Sequence, residues 1–337
     1  MGKRLRMGIV GAGVMGSKYA RTATNQSSRF RCEVAAICDA DQARADVLAT
    51  EVGSTRYTDL QEMLNQQDLD LVYLAVPDTV HKTPAIQCIE AGVAVLIEKP
   101  LATSVEESVQ IVQAARTHHV LVEVNFSNRW NPTFVTAKRA IDAGDIGDLI
   151  GINARLSNAH KVPESMPWAS STTTGWFLLS HVFDIGHWLS GKHAEAIYAR
   201  GVRGSLEAQG IDTFDIIHCI VSYVGGASGA YEAAWMLPNG LPSPVDFKFQ
   251  AIGTRGMIAI DTSNQMIMIA DDHQIRHPGV LDWADLRLQS FLDKIEKGMV
   301  DEDLLLAGVE NTSMLTALHE SLSTGSPVTV PLWNGGR

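Results

Sequence analysis

Leu5-Arg6-Met7-Gly8-Ile9-Val10-Gly11-Ala12-Gly13-Val14-Met15-Gly16 joins a short apolar run to a glycine-punctuated turn, and a helical pattern continues to Asn25. A strand that feeds a helix through G-x-G-x-x-G is the phosphate-binding turn of a dinucleotide domain. Gly11 permits the tight turn, Gly13 lets the backbone approach a pyrophosphate, and Gly16 allows the helix to pack close to the strand. The free amides and the positive end of that helix then favour phosphate. An ordinary strand–helix turn that happens to hold three glycines is the plain alternative.

The surrounding pattern decides for the first reading. Apolar runs at 5–10, 33–38, 70–76, 94–97 and 120–124 alternate with helical patterns at 14–25, 41–52, 59–65, 79–91 and 104–117. Short runs without polar alternation suit strands buried on both faces of a parallel sheet. Residues 1–124 are therefore expected to form a doubly wound α/β nucleotide-binding domain. Asp39 falls at the tip of the second strand, where a carboxylate meets the adenine ribose hydroxyls and repels a 2′-phosphate. NAD is expected rather than NADP, with Arg44 either along the adenine or solvated on its helix face.

Past residue 124 the pattern changes. A helix at 132–143 leads to strands at 149–156, 195–202, 212–223, 229–235, 247–252, 257–261 and 328–330, with helices at 176–189, 283–296 and 304–324. Gly225-Gly226 marks a hairpin. Residues 125–337 thus read as an α+β substrate and oligomerisation domain on a largely antiparallel sheet.

Composition narrows the function. A formal net charge of −11 without a basic cluster disfavours nucleic acid. The four cysteines (Cys32, Cys38, Cys88, Cys219) form no C-x-x-C pair, so neither a disulfide framework nor a metal site is expected. They read as small buried residues. No apolar stretch reaches membrane-spanning length and the N-terminal residues lack a signal pattern, so a cytoplasmic protein is expected.

A second motif, Glu98-Lys99-Pro100, follows the run at 93–97. Lys99 sits at a strand's C-terminal end, where open α/β sheets place ligands. Desolvation there lowers a lysine's pKa toward the range useful for proton transfer. Pro100 restricts the backbone of Lys99. The alternative is a surface lysine before a proline turn.

With both motifs present, the chain resembles the Gfo/Idh/MocA family of NAD(P)-dependent sugar and inositol oxidoreductases over nearly its whole length. The stretches that carry the likeness are the glycine loop, Ala75-Val76-Pro77-Asp78-Thr79-Val80-His81, Glu98-Lys99-Pro100, Arg129-Trp130-Asn131-Pro132 with Gly144-Asp145-Ile146-Gly147, and His181-Val182-Phe183-Asp184. The resemblance implies a dehydrogenase that moves a hydride from a secondary hydroxyl of a sugar, sugar derivative or cyclitol to nicotinamide C4. It places Gly11, Gly13, Val14, Met15, Gly16, Asp39, Arg44, Ala75, Pro77, His81, Glu98 and Lys99 at the dinucleotide. Lys99, Arg155, Trp176 and His181 are placed at the substrate, with His181 as acid/base. Asp184, one helical turn on, would orient its imidazole. The open face of the second sheet would join copies into a homodimer or homotetramer. Two departures stand out. Phe177 occupies the place where many relatives carry an aspartate, four residues before the histidine, and Asp78 the place of a frequent asparagine. They keep open an NAD-binding ligand sensor without chemistry, and redox-neutral NAD-dependent glycoside cleavage.

Overall fold

The computed structural model describes residues 4–25, 30–241, 243–262, 269–270, 275–276, 283–333 and 335. The chain divides into two compact units, Met1–Ser127 with Ala284–Thr312, and Asn128–Trp283 with Ser313–Arg337.

In the first unit six strands run parallel: β1 (Leu5–Val10), β2 (Cys32–Cys38), β3 (Thr55–Tyr57), β4 (Leu71–Leu74), β5 (Ala94–Ile97) and β6 (Val122–Val124). Their order, β3-β2-β1-β4-β5-β6, reverses between β1 and β4, which makes the switch point that open α/β sheets use for ligands. Helices α1 (Val14–Asn25), α2 (Gln42–Val52), α3 (Leu60–Gln66), α4 (Lys82–Glu90) and α5 (Val105–His118) fill the crossovers. Local chemistry sets their starts. The Asp41 carboxylate accepts from the amides of Ala43 and Arg44 at the head of α2, and the Ser104 hydroxyl accepts from Glu107 at the head of α5. The expected helix at 79–91 is instead a 3₁₀ turn, Asp78–Val80, followed by α4. The strand β3 has no counterpart in the sequence reading, because only Tyr57 of its three residues is buried.

Residues 284–312 belong with this first unit, whereas the sequence reading placed everything past 124 in the second. The helix α8 (Trp283–Glu296) shows why. Ala284, Leu288, Phe291 and Leu292 join a core with Leu5, Met7, Tyr19 and Tyr73. Arg287, fully buried, pairs with the equally buried Glu123 of β6 at 2.7 Å, and Lys294 pairs with the same carboxylate.

The second unit is built on seven strands in the order β12-β11-β7-β10-β9-β8-β15. They are β7 (Leu149–Ala159), β8 (Ala194–Val202), β9 (Ile216–Tyr223), β10 (Ser228–Leu237), β11 (Val245–Gly253), β12 (Met257–Asp261) and β15 (Val328–Thr329); a separate two-stranded pair is β13 (Ile269–Ala270) with β14 (Ile275–Arg276). Only β7 with β10 runs parallel; the other neighbours in the large sheet are antiparallel. Strand β9 starts later than the expected residue 212, because Asp215 caps a loop by accepting from the amides of Ser205 and Leu206, both at 2.8 Å. Helices α6 (Pro132–Asp142) and α7 (Ser180–Ser190) cover one face. There Phe134, Val182, Phe183 and Ile185 meet Ile152, Ala154 and Leu156 of β7. The helix α9 (Asp303–Thr324) carries the chain from the first unit into the second.

All four cysteines are buried and free, and burial pushes Cys38 up to about 11 and both Cys32 and Cys88 to about 12. Among the described residues no helix is long and apolar enough to cross a membrane.

Candidate active site

The glycine loop lies between the ends of β1 and β4. Gly11 adopts φ +95°, and a Cβ there would stand 2.3 Å from the carbonyl oxygen of Ala75. At Gly16 a Cβ would stand 1.8 Å from the oxygen of Gly11, so any side chain would push α1 off the loop. Gly13 differs: its Cβ would meet nothing within 4 Å. The protein's own packing does not require glycine at 13, and the space over it is open. Val14, the first residue of α1, is 87% exposed beside it, and Met15 is half-buried.

Asp39 fastens this loop to the tip of β2. One carboxylate oxygen accepts from the amide of Ala12 at 2.7 Å and the other from the amide of Asp41 at 2.8 Å. A carboxylate has about four lone-pair sites, so acceptor capacity remains for hydroxyls. Arg44 is exposed and paired with Asp41 at 3.3 Å.

Lys99 follows β5 and is buried, as is Glu98. The Lys99–Pro100 peptide is cis. Burial holds the Lys99 ammonium below the usual lysine range, and the nearby carboxylates of Glu98 and Asp78 oppose that. The Glu98 carboxylate is turned into the protein. It accepts from the hydroxyl of Tyr73, from the amide nitrogen of Asn125 at 2.6 Å, and from the backbone N–H of Lys99 at 3.3 Å. His81 is buried too, its ring nitrogens 2.8 Å from the Pro100 carbonyl and 3.0 Å from that of Val76. Both residues were expected at the dinucleotide; their polar atoms instead brace the turn that carries Lys99.

In the second unit His181 sits half-buried in the first turn of α7, directly after a π-helical turn, Gly175–Leu179. Such turns recur at functional positions of helices. Asp184 is buried one turn later and takes Arg129 as its partner. The guanidinium donates from Nη2 at 2.6 Å and from Nε at 3.1 and 3.2 Å. Burial pushes the Asp184 carboxyl up, and Arg129 pulls against it. The ring of Trp188 lies 5.8 Å below the guanidinium. Trp176 stacks on His319 of α9 at 4.7 Å and 11°, while Phe177 packs between Trp168 at 6.0 Å and Trp235 at 5.5 Å.

Arg155 is the residue the structure moves. It alternates out of β7 onto the sheet face opposite the helices, where it pairs with Asp246 and lines a groove with Arg200, His218 and Lys248. It therefore stands apart from α7 and His181.

A family model described as an oxidoreductase family with an NAD-binding Rossmann fold matches residues 5–126, and one described as the GFO/IDH/MocA C-terminal domain matches residues 134–259. The chain belongs to the Gfo/Idh/MocA family.

It is 28% identical over 345 aligned positions to inositol 2-dehydrogenase 1 of Saccharopolyspora erythraea, covering 97% of each chain. Its fold matches myo-inositol 2-dehydrogenase of Lactobacillus plantarum, with TM-score 0.86, 20% identity, and coverage of 98% of this chain and 100% of that one. It also matches scyllo-inositol dehydrogenase of Lactobacillus casei with bound NAD(H) and scyllo-inositol, with TM-score 0.83, 21% identity, and coverage of 97% and 99%. At those identities the two structures speak for the fold alone.

As in other Gfo/Idh/MocA oxidoreductases, the first unit is an NAD-binding domain. The residues present fit the dinucleotide: the space above Gly13 is open, the loop leads into the N-terminus of α1, and a fixed carboxylate stands at the tip of β2. Sequence reasoning did not find Tyr19, Tyr73 and Asn125 around Glu98, nor the partnership of Arg129 with Asp184. Arg129 lies in a family-like stretch, but nothing in the sequence pairs it with a residue 55 positions away.

Proposed function

We propose that this Gfo/Idh/MocA protein is an NAD-dependent dehydrogenase that oxidises a secondary hydroxyl of a cyclitol, sugar or sugar derivative. The observation that carries this reading is Lys99. It is a buried lysine at the C-terminal end of a parallel strand, flanked by two carboxylates, in a chain that aligns end to end with an inositol 2-dehydrogenase.

The backbone of residues 11–16, with Val14 and Met15, receives the pyrophosphate. Asp39 receives the adenine ribose, with Arg44 beside the adenine, and Ala75, Pro77 and Lys99 face the nicotinamide end. NAD⁺ supplies the hydride acceptor at nicotinamide C4. Lys99 donates a hydrogen bond to the reacting hydroxyl, and His181 takes its proton. Trp176 offers an apolar face to a ring. Asp184 and Arg129 hold α7 in place beneath His181. The face of the second sheet that carries Arg155 and Ile220 takes a second copy of the chain, giving a homodimer or homotetramer, and the protein works in the cytoplasm.

A panel of inositols, hexoses and sugar acids, followed by NADH absorbance, tests the reading. Turnover of at least one cyclitol or sugar is expected. NADH binding without turnover of any member would favour the ligand-sensing alternative, which Phe177 supports by replacing a carboxylate with apolar area.

A further inference from the structure

We propose that Tyr73, Asn125 and Tyr19 are positioning residues for Lys99, acting through the carboxylate of Glu98. The proposal rests on the dehydrogenase reading only for what Lys99 does; the network itself lies wholly in the first unit.

Four neighbouring elements converge there: α1 with Tyr19, β4 with Tyr73, the end of β5 with Glu98 and the end of β6 with Asn125. The rings of Tyr19 and Tyr73 stack at 4.0 Å and 19°, both fully buried. The Tyr19 hydroxyl donates to the side-chain oxygen of Asn125 at 3.1 Å. That bond orients the Asn125 amide, so its nitrogen donates to Glu98 at 2.6 Å and to the Tyr73 hydroxyl at 3.2 Å. Tyr73 in turn donates to the same carboxylate oxygen. Every donor in the chain points toward Glu98.

Packing alone would not need this. Phenylalanine fills the space of a buried tyrosine, and buried polar groups cost stability unless every one is partnered. What the network supplies is a carboxylate held at a fixed point. Its second oxygen holds the backbone N–H of Lys99, while His81 holds the carbonyl of Pro100 on the other side of the turn. Among the described residues of this unit, Glu98, from the end of β5, and Asp78, from the turn after β4, are the charged groups that act on Lys99. Glu98 thus both aims the lysine and favours its ammonium form against burial, the form that donates to a substrate oxygen.

The test is competitive acetylation of the full-length protein by acetic anhydride across pH, read at the Lys99 peptide by mass spectrometry. Only the neutral amine reacts. Glu98→Gln removes the anion that favours the ammonium, so half-maximal labelling moves to lower pH by about one unit or more. Tyr73→Phe moves it the same way by less, because it removes a donor that holds the Glu98 carboxylate beside Lys99 and leaves the anion itself in place. In the Glu98→Gln background Tyr73→Phe adds nothing, since its effect passes through Glu98. In turnover, both single variants lose kcat while the KM for NAD⁺ changes less than about twofold. Asn125→Leu, similar in volume, serves as the second probe if Tyr73→Phe does not fold: it removes a donor to Glu98 without adding a charge, and the labelling midpoint falls.

An unchanged labelling curve in a folded Tyr73→Phe protein overturns the proposal. So does a Tyr73→Phe effect that persists undiminished beside Glu98→Gln. Labelling needs no substrate, so a chain that oxidised no cyclitol but showed these shifts would overturn the dehydrogenase reading and leave the network standing.

Discussion

Asp39 illustrates how one side chain serves both the protein and its ligand. Its two oxygens are fixed by the amides of Ala12 and Asp41, so the charge cannot swing aside for a 2′-phosphate. NADH is therefore expected to bind more tightly than NADPH, and Asp39→Ala to narrow the gap. Because Ala12 loses its partner as well, the variant should weaken NADH more than it strengthens NADPH. Fluorescence titration with both nucleotides checks this, and equal affinities in the unmodified protein would refute it. Lys99→Ala should lose on the order of 10²–10⁴ in kcat, the usual worth of a positioned acid/base group. NADH affinity should change by no more than about 1–3 kcal/mol, the scale of one charged hydrogen bond. With His181 taking the proton, kcat is expected to rise with pH and His181→Asn to flatten that rise; a folded variant with an unchanged profile would return His181 to a packing role. These residues were legible because each stands in a motif whose type and spacing have a physical use. Tyr73 and Asn125 were not, because a tyrosine in an apolar run and an asparagine after another read as ordinary strand residues. Their meaning lies in a convergence across three strands.

At the level of elements, the π-helical turn before α7 is braced by α9. His319 of α9 reaches across to it: one ring nitrogen lies 2.7 Å from the Thr173 hydroxyl, the other 2.7 Å from the Leu315 carbonyl, and the ring stacks on Trp176. Burial pushes His319 down to about 4, against an ordinary value of 6.5. The folded chain keeps this imidazole neutral where the unfolded chain protonates it. Stability is thus retained above pH 6.5 and lost as pH falls toward 4, by about 1–3 kcal/mol. Urea unfolding of the unmodified protein and of His319→Gln at pH 7 and pH 4.5 should show a smaller pH dependence in the variant; parallel losses would place the titration elsewhere. The helix α8 makes a similar case for α/β packing. Arg287→Leu leaves Glu123 buried with Lys294 as its remaining partner, so a loss of about 3 kcal/mol in urea is expected, at the low end for a broken buried pair. The limits of α8 could be read from its apolar period, which announces a buried face. Its partner could not, because Leu288, Phe291 and Leu292 would suit either core equally. Strand β3 escaped for the opposite reason: with two of its three residues exposed, it has no apolar pattern to read.

At the level of the whole chain, the described residues place helices over one face of the second sheet and none over the other. Alternation directs Tyr198, Arg200, His218, Ile220, Glu232 and Lys248 to the uncovered side, and Ile220 is 49% exposed there. Cations and carboxylates are mixed across that face, so it can meet itself about a two-fold axis with opposite charges opposed. Two sheets packed face to face in this way bury alternate side chains of both. The open face was expected from the family resemblance alone, whereas the seat of Arg155 upon it depended on register and was misplaced. The chain's mass is 36.6 kDa, and light scattering behind size-exclusion chromatography should return at least twice that. Ile220→Arg would set two like charges against each other across the proposed self-paired face, and should shift the population toward one chain. NADH affinity should hold, because Ile220 is in the second unit and the glycine loop in the first. A single-chain mass for the unmodified protein, or an Ile220→Arg variant that assembles as before, would show that this face meets water rather than a second copy.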